Sequence, residues 1–337
     1  MSEPSTVHPA VLSRAQGCLL GQLAGDALGG LVEFQTPEQI RQQYPEGVRR
    51  LEDGGTWDTL AGQPTDDSEM ALAVARTLAA GGRFDLEQVA RAYASWHDSG
   101  PFDMGNTCRT ALSAAARAVA QGLPAAPAAQ EAASRTSQAN GALMRISPLA
   151  IFGVRASEQE VMEWARDDAS LTHPHPVCLS ANAVFTATVA CAIRTGATPA
   201  QLYDLAVRLA EDQPQASEVR TALAQAAEAP PADFMCLRGW VCLALQNAFH
   251  QLLHAPDLEA GLVDTVGHGG DTDTNAAIAG ALLGATFGAE AIPEQWQTCL
   301  RECRPSATNP RAVRPRPEVY WPCDALELAT QLLRGPP

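Results

Sequence analysis

Two short stretches carry residue types and spacings that could do chemistry. In the first, GGDTDT over 269–274, two glycines lead into Asp271, Asp273 and Thr274, and Asn275 then opens the apolar run AAIAGALLGATFG. Carboxylate and hydroxyl oxygens on an irregular turn at a helix start suit a hard divalent cation. They also suit a plain helix cap, because first turns favour Asp and negative charge. The second stretch, QPTDDSEMALAV, offers Thr65 as an N-cap with Asp66 and Asp67 in the first turn. Capping needs one oxygen, and the second adjacent acid adds a repulsion that a cation would remove. If the two helix starts meet, four carboxylates and the hydroxyls of Thr65 and Thr274 share a small volume. Two Mg²⁺ or Mn²⁺ ions, about 3.5–4 Å apart as in two-metal sites, are the simplest way to keep those acids charged. Oxygen-only ligation argues against Zn²⁺ and Cu²⁺.

The elements that must position these residues are helices. Leu12, Ala15, Leu19 and Leu23 share one helical face, as do Met70, Val74 and Leu78, which Gly81-Gly82 ends. The same spacing recurs at Leu86–Trp96, Leu202–Leu209, Leu237–Leu252, Leu258–Val266 and Leu326–Leu332. Period-two alternation is nearly absent, so the predicted fold is all-α, a compact single-domain orthogonal bundle over 11–335 after a disordered segment 1–10. Three stretches, 121–138, 211–233 and 304–320, read as loops or weak helices. RPRP at 314–317 reads as a solvated tail loop, with attraction of an acidic partner as the alternative.

Composition narrows the function classes. The 337 residues carry a formal charge of −15, with 46% hydrophobic and 18% charged. So few Lys and Arg do not support general nucleic-acid binding, which scales with phosphates neutralised. The nine cysteines are scattered and lack Cys-x-x-Cys spacing, which argues against a zinc ribbon. Cys299 and Cys303, one turn apart, read as a fortuitous pair. The N-terminus lacks the features of a signal peptide, and the apolar runs near 181–193 and 276–288 look too short to span a bilayer. A reduced, soluble, cytoplasmic protein is expected.

Further motifs are GDALGGLVEF, with Asp26 and Glu33 framing a turn, PFDMGNTCR, NGALMR and THPHP. Within the longer stretch GQLAGDALGGLVEF that ends the first helix, Gly21, Gly25, Gly29 and Gly30 read as close-packing positions. Taken alone, Asp103 reads as a cap for a helix near Asn106, Asn140-Gly141 as a turn, Met144 as core, and His173-x-His175 as a rigid loop. In their order, these motifs resemble the ADP-ribosylglycohydrolases, most nearly the bacterial dinitrogenase-reductase-activating branch, from about Leu19 to Trp296. The resemblance implies an all-α hydrolase with two divalent cations, Mg²⁺ or Mn²⁺, cleaving ADP-ribose from protein side chains. It implies Thr65, Asp66, Asp67, Asp271, Asp273 and Thr274 as metal ligands, and Glu33 and Asp103 as catalytic acids. It places Gly105, Asn140, Gly141, Met144 and His173 at the substrate.

One departure is Asn275, where the nearest branch usually carries a small or hydroxyl residue. The retained Asp103 points to the N-glycosidic bond to arginine as the substrate linkage, cleaved through an oxocarbenium-like transition state. Linkage to serine or to a nucleic-acid end stays open. So do a non-catalytic ADP-ribose binding module, a structural member of the same fold and a phosphohydrolase using the same metals.

Overall fold

The computed structural model describes residues 7–213, 215 and 217–334. Among them the chain forms sixteen α-helices and no strand. In order these are α1 (Pro9–Gly29), α2 (Pro37–Gln43), α3 (Asp66–Gly81), α4 (Leu86–Asp98), α5 (Asn106–Ala120) and α6 (Ala125–Ala132). Then come α7 (Ser147–Phe152), α8 (Glu158–Ser170), α9 (Pro176–Thr195), α10 (Pro199–Glu211) and α11 (Ser217–Ala226). The last five are α12 (Val241–His254), α13 (Leu258–Gly267), α14 (Thr272–Phe287), α15 (Glu294–Glu302) and α16 (Ala325–Arg334). The all-α expectation holds.

The architecture rests on α1 against α14. Gly17, Gly21, Gly25 and Gly29 recur every four residues and so line one helical face. A Cβ on Gly21 would lie 2.2 Å from the Gly280 carbonyl oxygen, and one on Gly25 2.1 Å from that of Ala276. From the other side, a Cβ on Gly284 would lie 2.0 Å from the Gly17 carbonyl oxygen. The two backbones run antiparallel in direct contact, and no larger side chain fits between them. The last glycine, Gly29, meets the backbone of Asp273, so the end of α1 lies beside the start of α14. Around this pair, α9, α12 and α13 pack on α14, while α16, α9 and α7 pack on α1. The buried apolar side chains form one continuous core.

Several expectations change. Residues 1–6 lie outside the described residues, but Pro9 and Ala10 already belong to α1, so the segment 1–10 is not wholly disordered. Pro at the first helical position loses no hydrogen bond, and His8 Nδ1 accepts from Ala10 N–H at 3.3 Å. Leu237 falls outside α12 and is 50% exposed, because its chain turns at Gly239 before the helix begins. The run at 181–193 extends into α9, which is long and apolar enough to cross a membrane; however, 83% of its most apolar window is buried in the fold. Of the stretches read as loops or weak helices, 121–138 and 211–233 take the helical alternative in α6 and α11.

RPRP is not a solvated tail. Arg316 is buried, and its Nε and Nη2 contact Glu69 Oε1 and Oε2 at 2.7 and 2.8 Å. The prolines hold this segment extended, and it carries the guanidinium across to α3. Arg314 Nε donates to the Trp57 carbonyl at 2.9 Å, tying the same segment to the loop before α3.

Gly25→Ala should cost at least about 2 kcal/mol in urea unfolding, since its methyl would strike backbone that cannot rotate away. Gly81→Ala, at the end of α3 with no neighbour within 4 Å, should be neutral or add up to about 1 kcal/mol. Equal effects at both positions would contradict the seam.

Candidate functional site

The two acidic helix starts meet. Asp66 and Asp67 open α3, Asp273 and Thr274 open α14, and Asp67 faces Asp271 and Thr274 across the junction. Gly269 and Gly270 make the turn into α14, with φ of 73° and 77°. A Cβ on Gly269 would strike the Gln35 carbonyl and one on Gly270 the Phe234 carbonyl, so only glycine lets the turn sit this close. Phe34 N–H donates to the Gly270 carbonyl at 2.7 Å, and Gly270 N–H to the Gln35 carbonyl at 3.1 Å. That pair of bonds sets Glu33 beside Asp271 and Asp273, and carboxylate oxygens of the three lie within 4.8 Å of one another.

A cavity of about 470 Å³ opens over this junction. Glu33, Asp66, Asp103, Asp271, Asp273 and Thr274 line it. Gly105, Asn140, Gly141, Met144 and His173 complete the part of the wall picked out in the sequence. Thr65 and Asp67 do not reach the lining. Thr65 does not cap α3 with its own side chain, although its position suits one. The cap comes from α1: Asp26 accepts from Thr65 N–H at 3.0 Å and from Ser68 N–H at 3.0 Å. The Thr65 hydroxyl lies 2.9 Å from Asp26 Oδ1 and 2.8 Å from Asp67 Oδ2. Nor does Asp103 cap α5, whose N-cap is Gly105 without a side-chain bond.

Crowding governs the electrostatics. Burial, then the Asp103 charge, pushes Glu33 up to about 8, while the Trp57 indole N–H, donating to Glu33 Oε2 at 2.6 Å, works the other way. Burial, then the charges of Asp271 and Asp26, lifts Asp103 to about 6. Asp66, Asp67 and Asp273 are each driven well above the ordinary carboxylate range, by burial first and neighbouring acids second. Asp67 Oδ1 is buried with no hydrogen-bond partner among the described residues. An orphaned carboxylate oxygen beside converging acids is an all-oxygen donor set that fits hard divalent cations.

The family model for ADP-ribosylglycohydrolase matches residues 7–331. The chain belongs to the ADP-ribosylglycohydrolase family. It is 33% identical over 303 residues to the ADP-ribosyl-[dinitrogen reductase] glycohydrolase of Rhodospirillum rubrum, covering 87% of this chain and 92% of that protein. It is 28% identical to the ADP-ribosylarginine hydrolase Tri1 of Pseudomonas putida, over 88% of this chain and 76% of the relative. To the ADP-ribosylhydrolase ARH3 of Homo sapiens the identity is 27%, over 85% and 88%. A solved ADP-ribosylglycohydrolase-related protein complex superposes with a TM-score of 0.75 at 27% identity, over 97% of this chain and 99% of the other. Membership makes the protein a hydrolase.

In this ADP-ribosylglycohydrolase the match runs past Trp296 and takes in the Pro/Arg segment that anchors α3 and Trp57. Asn275 is buried with neither side-chain polar atom partnered among the described residues, while Asp273 and Thr274 beside it still line the cavity. His175 caps α9, accepting from Val177 N–H at 3.3 Å, so the two histidines of THPHP have separate roles. The sequence reading missed Phe34, Cys108, Arg238 and Gly239 in the wall. Cys108 sits within PFDMGNTCR and could have been found from that motif. Arg238 and Gly239 had no local signal: they arrive because Asn140 N–H donates to the Gly239 carbonyl and Val241 N–H to the Gln138 carbonyl, both at 2.9 Å.

Acids held above their unfolded values make the metal-free fold weaker as pH rises. Glu33 starts from 4.5 unfolded and reaches about 8 folded, so the native state binds the extra proton between those values. Stability is therefore fully present below about 4.5 and lost progressively up to about 8. Melting temperatures in chelator should fall across that window, and added Mg²⁺ or Mn²⁺ should flatten the fall. A chelator curve as flat as the metal curve would contradict the reading of a metal-compensated acid cluster.

Proposed function

We propose that this hydrolase removes ADP-ribose from modified protein side chains with two divalent cations, Mg²⁺ or Mn²⁺, and that the linkage it cleaves is the N-glycosidic bond to arginine. The observation that carries the metal reading is the convergence of Glu33, Asp271 and Asp273 oxygens under the cavity. Thr65, Asp66, Asp67 and Thr274 complete the set that would hold the ions. When bound there, the cations would supply Lewis-acid charge that offsets these acids and polarises substrate oxygens.

The chain's own groups do the rest. Asn140 Nδ2 donates to Asp271 Oδ2 at 2.7 Å, fixing that carboxylate while its own loop borders the cavity. Gly105 and Gly141 leave room for the ligand, and Met144 and His173 form its wall. Trp57 holds Glu33 toward the junction. Asp103, lifted to about 6, can hold or release a proton near neutral pH, as a group serving the departing guanidine must. The arginine linkage is supported by Asp103 in the wall and by similarity to a named ADP-ribosylarginine hydrolase. We read the protein further as a cytoplasmic monomer, in keeping with nine free thiols.

The deciding assay is ADP-ribose release from arginine- and serine-modified peptides, with Mg²⁺, Mn²⁺ or chelator. Metal-dependent release from the arginine peptide alone is expected. Release from the serine peptide alone would move the linkage, and ADP-ribose binding without any release would favour a binding module. Asp273→Asn should abolish turnover and weaken thermal stabilisation by metal while leaving the helical signal intact. Wild-type activity in that variant would sink the metal assignment. Asp103→Ala should lower the hydrolysis rate more than ADP-ribose affinity, whereas equal losses would make Asp103 a binding residue.

A further inference from the structure

Behind the cavity wall lies a buried polar chain that the proposed reaction does not use directly. Arg145 and Asp168 are both fully buried and joined by Arg145 Nε to Asp168 Oδ1 at 3.0 Å and Nη2 to the Asp168 carbonyl at 3.1 Å. The Tyr93 hydroxyl donates to Asp168 Oδ2 at 2.8 Å, and the guanidinium lies over the Tyr93 ring at 4.5 Å. Arg145 Nη1 lies 3.1 Å from the Gly141 carbonyl and 2.9 Å from the Thr172 hydroxyl oxygen. The other neighbour of that hydroxyl is His173 Nδ1, at 2.8 Å.

The donor count along this chain decides a hydrogen position. A guanidinium has no acceptor, so the Thr172 oxygen must accept from Arg145. The threonine's own hydrogen then has one acceptor to reach, His173 Nδ1. Were Nδ1 protonated instead, two donors would face the same oxygen and the threonine hydrogen would be stranded in a buried site.

We infer that Arg145, acting through Thr172, fixes His173 as the tautomer with its hydrogen on Nε2, so that the cavity presents a neutral N–H donor to an acceptor oxygen of the ADP-ribosyl group. The ligand half of this inference rests on the function proposed above; the tautomer half does not. His173 Nε2 is buried, has no partner among the described residues and belongs to a residue in the cavity wall. Gly141 packs directly against this edge of the ring, and a Cβ there would stand 3.3 Å from Nε2 and 3.0 Å from Cε1, so only glycine keeps the wall thin enough for Nε2 to reach a ligand. Burial, then the Arg145 charge, pushes His173 down to about 3, which keeps the ring neutral. Thr172 and Arg145 are thus positioning residues, and Asp168 and Tyr93 hold Arg145 in place.

The test is long-range ¹H–¹⁵N spectroscopy of the histidine rings in the full-length metal-loaded protein, joined to calorimetric titration with ADP-ribose. In the ligand-free wild type, His173 should show a bare Nδ1 and a protonated Nε2; the opposite pattern overturns the inference. Thr172→Val should relax the tautomer and weaken ADP-ribose binding about 5- to 10-fold, the loss of roughly one neutral hydrogen bond. Thr172→Ser, which keeps the hydroxyl, should restore both. His173→Gln, whose amide can donate from near the Nε2 position, should bind more tightly than His173→Leu; equal binding overturns the donor role. A wild type with hydrogen on Nε2 but no ADP-ribose affinity would overturn the function proposed above and the ligand half with it, leaving the tautomer assignment intact.

Discussion

The contact on which the rest depends is the glycine seam between α1 and α14. Two helix backbones touch because Gly17, Gly21, Gly25 and Gly29 face Gly284, Gly280, Ala276 and Asp273 in antiparallel register. At that distance a helix can neither slide nor rotate without a carbonyl striking a Cα. The register therefore sets the place of everything just beyond the ends of the two helices. Asp26, on the last turn of α1, reaches over to cap α3, and Glu33, just past its end, reaches the start of α14. A catalytic site needs such positional precision, and here it comes from packing rather than from the site's own bonds.

The site strains against that order. Carboxylates gathered between two helix starts repel each other in a buried setting, and the positive helix ends offset only part of the charge. The surrounding fold opposes the repulsion with ion pairs whose own cost is met by full pairing. Arg316 binds Glu69 through two contacts one turn into α3, and Trp96 Nε1 adds a third bond to the same carboxylate. Arg145 and Asp168 do the same behind the opposite wall. Pairs this buried add little net stability, but breaking one leaves an uncompensated charge. Their value lies in holding Asp66 and Asp67 on one side and His173 on the other.

Much of this was legible in the chain. Helical periodicity is enough for an all-α fold, and paired acids at two helix starts point to hard cations by side-chain chemistry alone. The failures share a cause. Thr65 does stand at the N-cap of α3, but the side chain that accepts there is Asp26, 39 residues away; Asp103 reads as the cap of α5 because cap rules score near neighbours, and α5 uses no side-chain cap. The Pro/Arg segment reads as solvated because its prolines mark a loop; the carboxylate that buries Arg316 is 247 residues distant.

The sequence by itself determined which residues could ligate metal, which faces were apolar and where backbones had to come close. These follow from side-chain chemistry and from the helical period, both local properties. Only the tertiary structure decided that the two acidic helix starts converge, that Arg238 and Gly239 join the wall, and that Thr172 stands between Arg145 and His173. Those are facts of register and through-space contact, set by which surfaces pack together, and no local spacing along the chain encodes them.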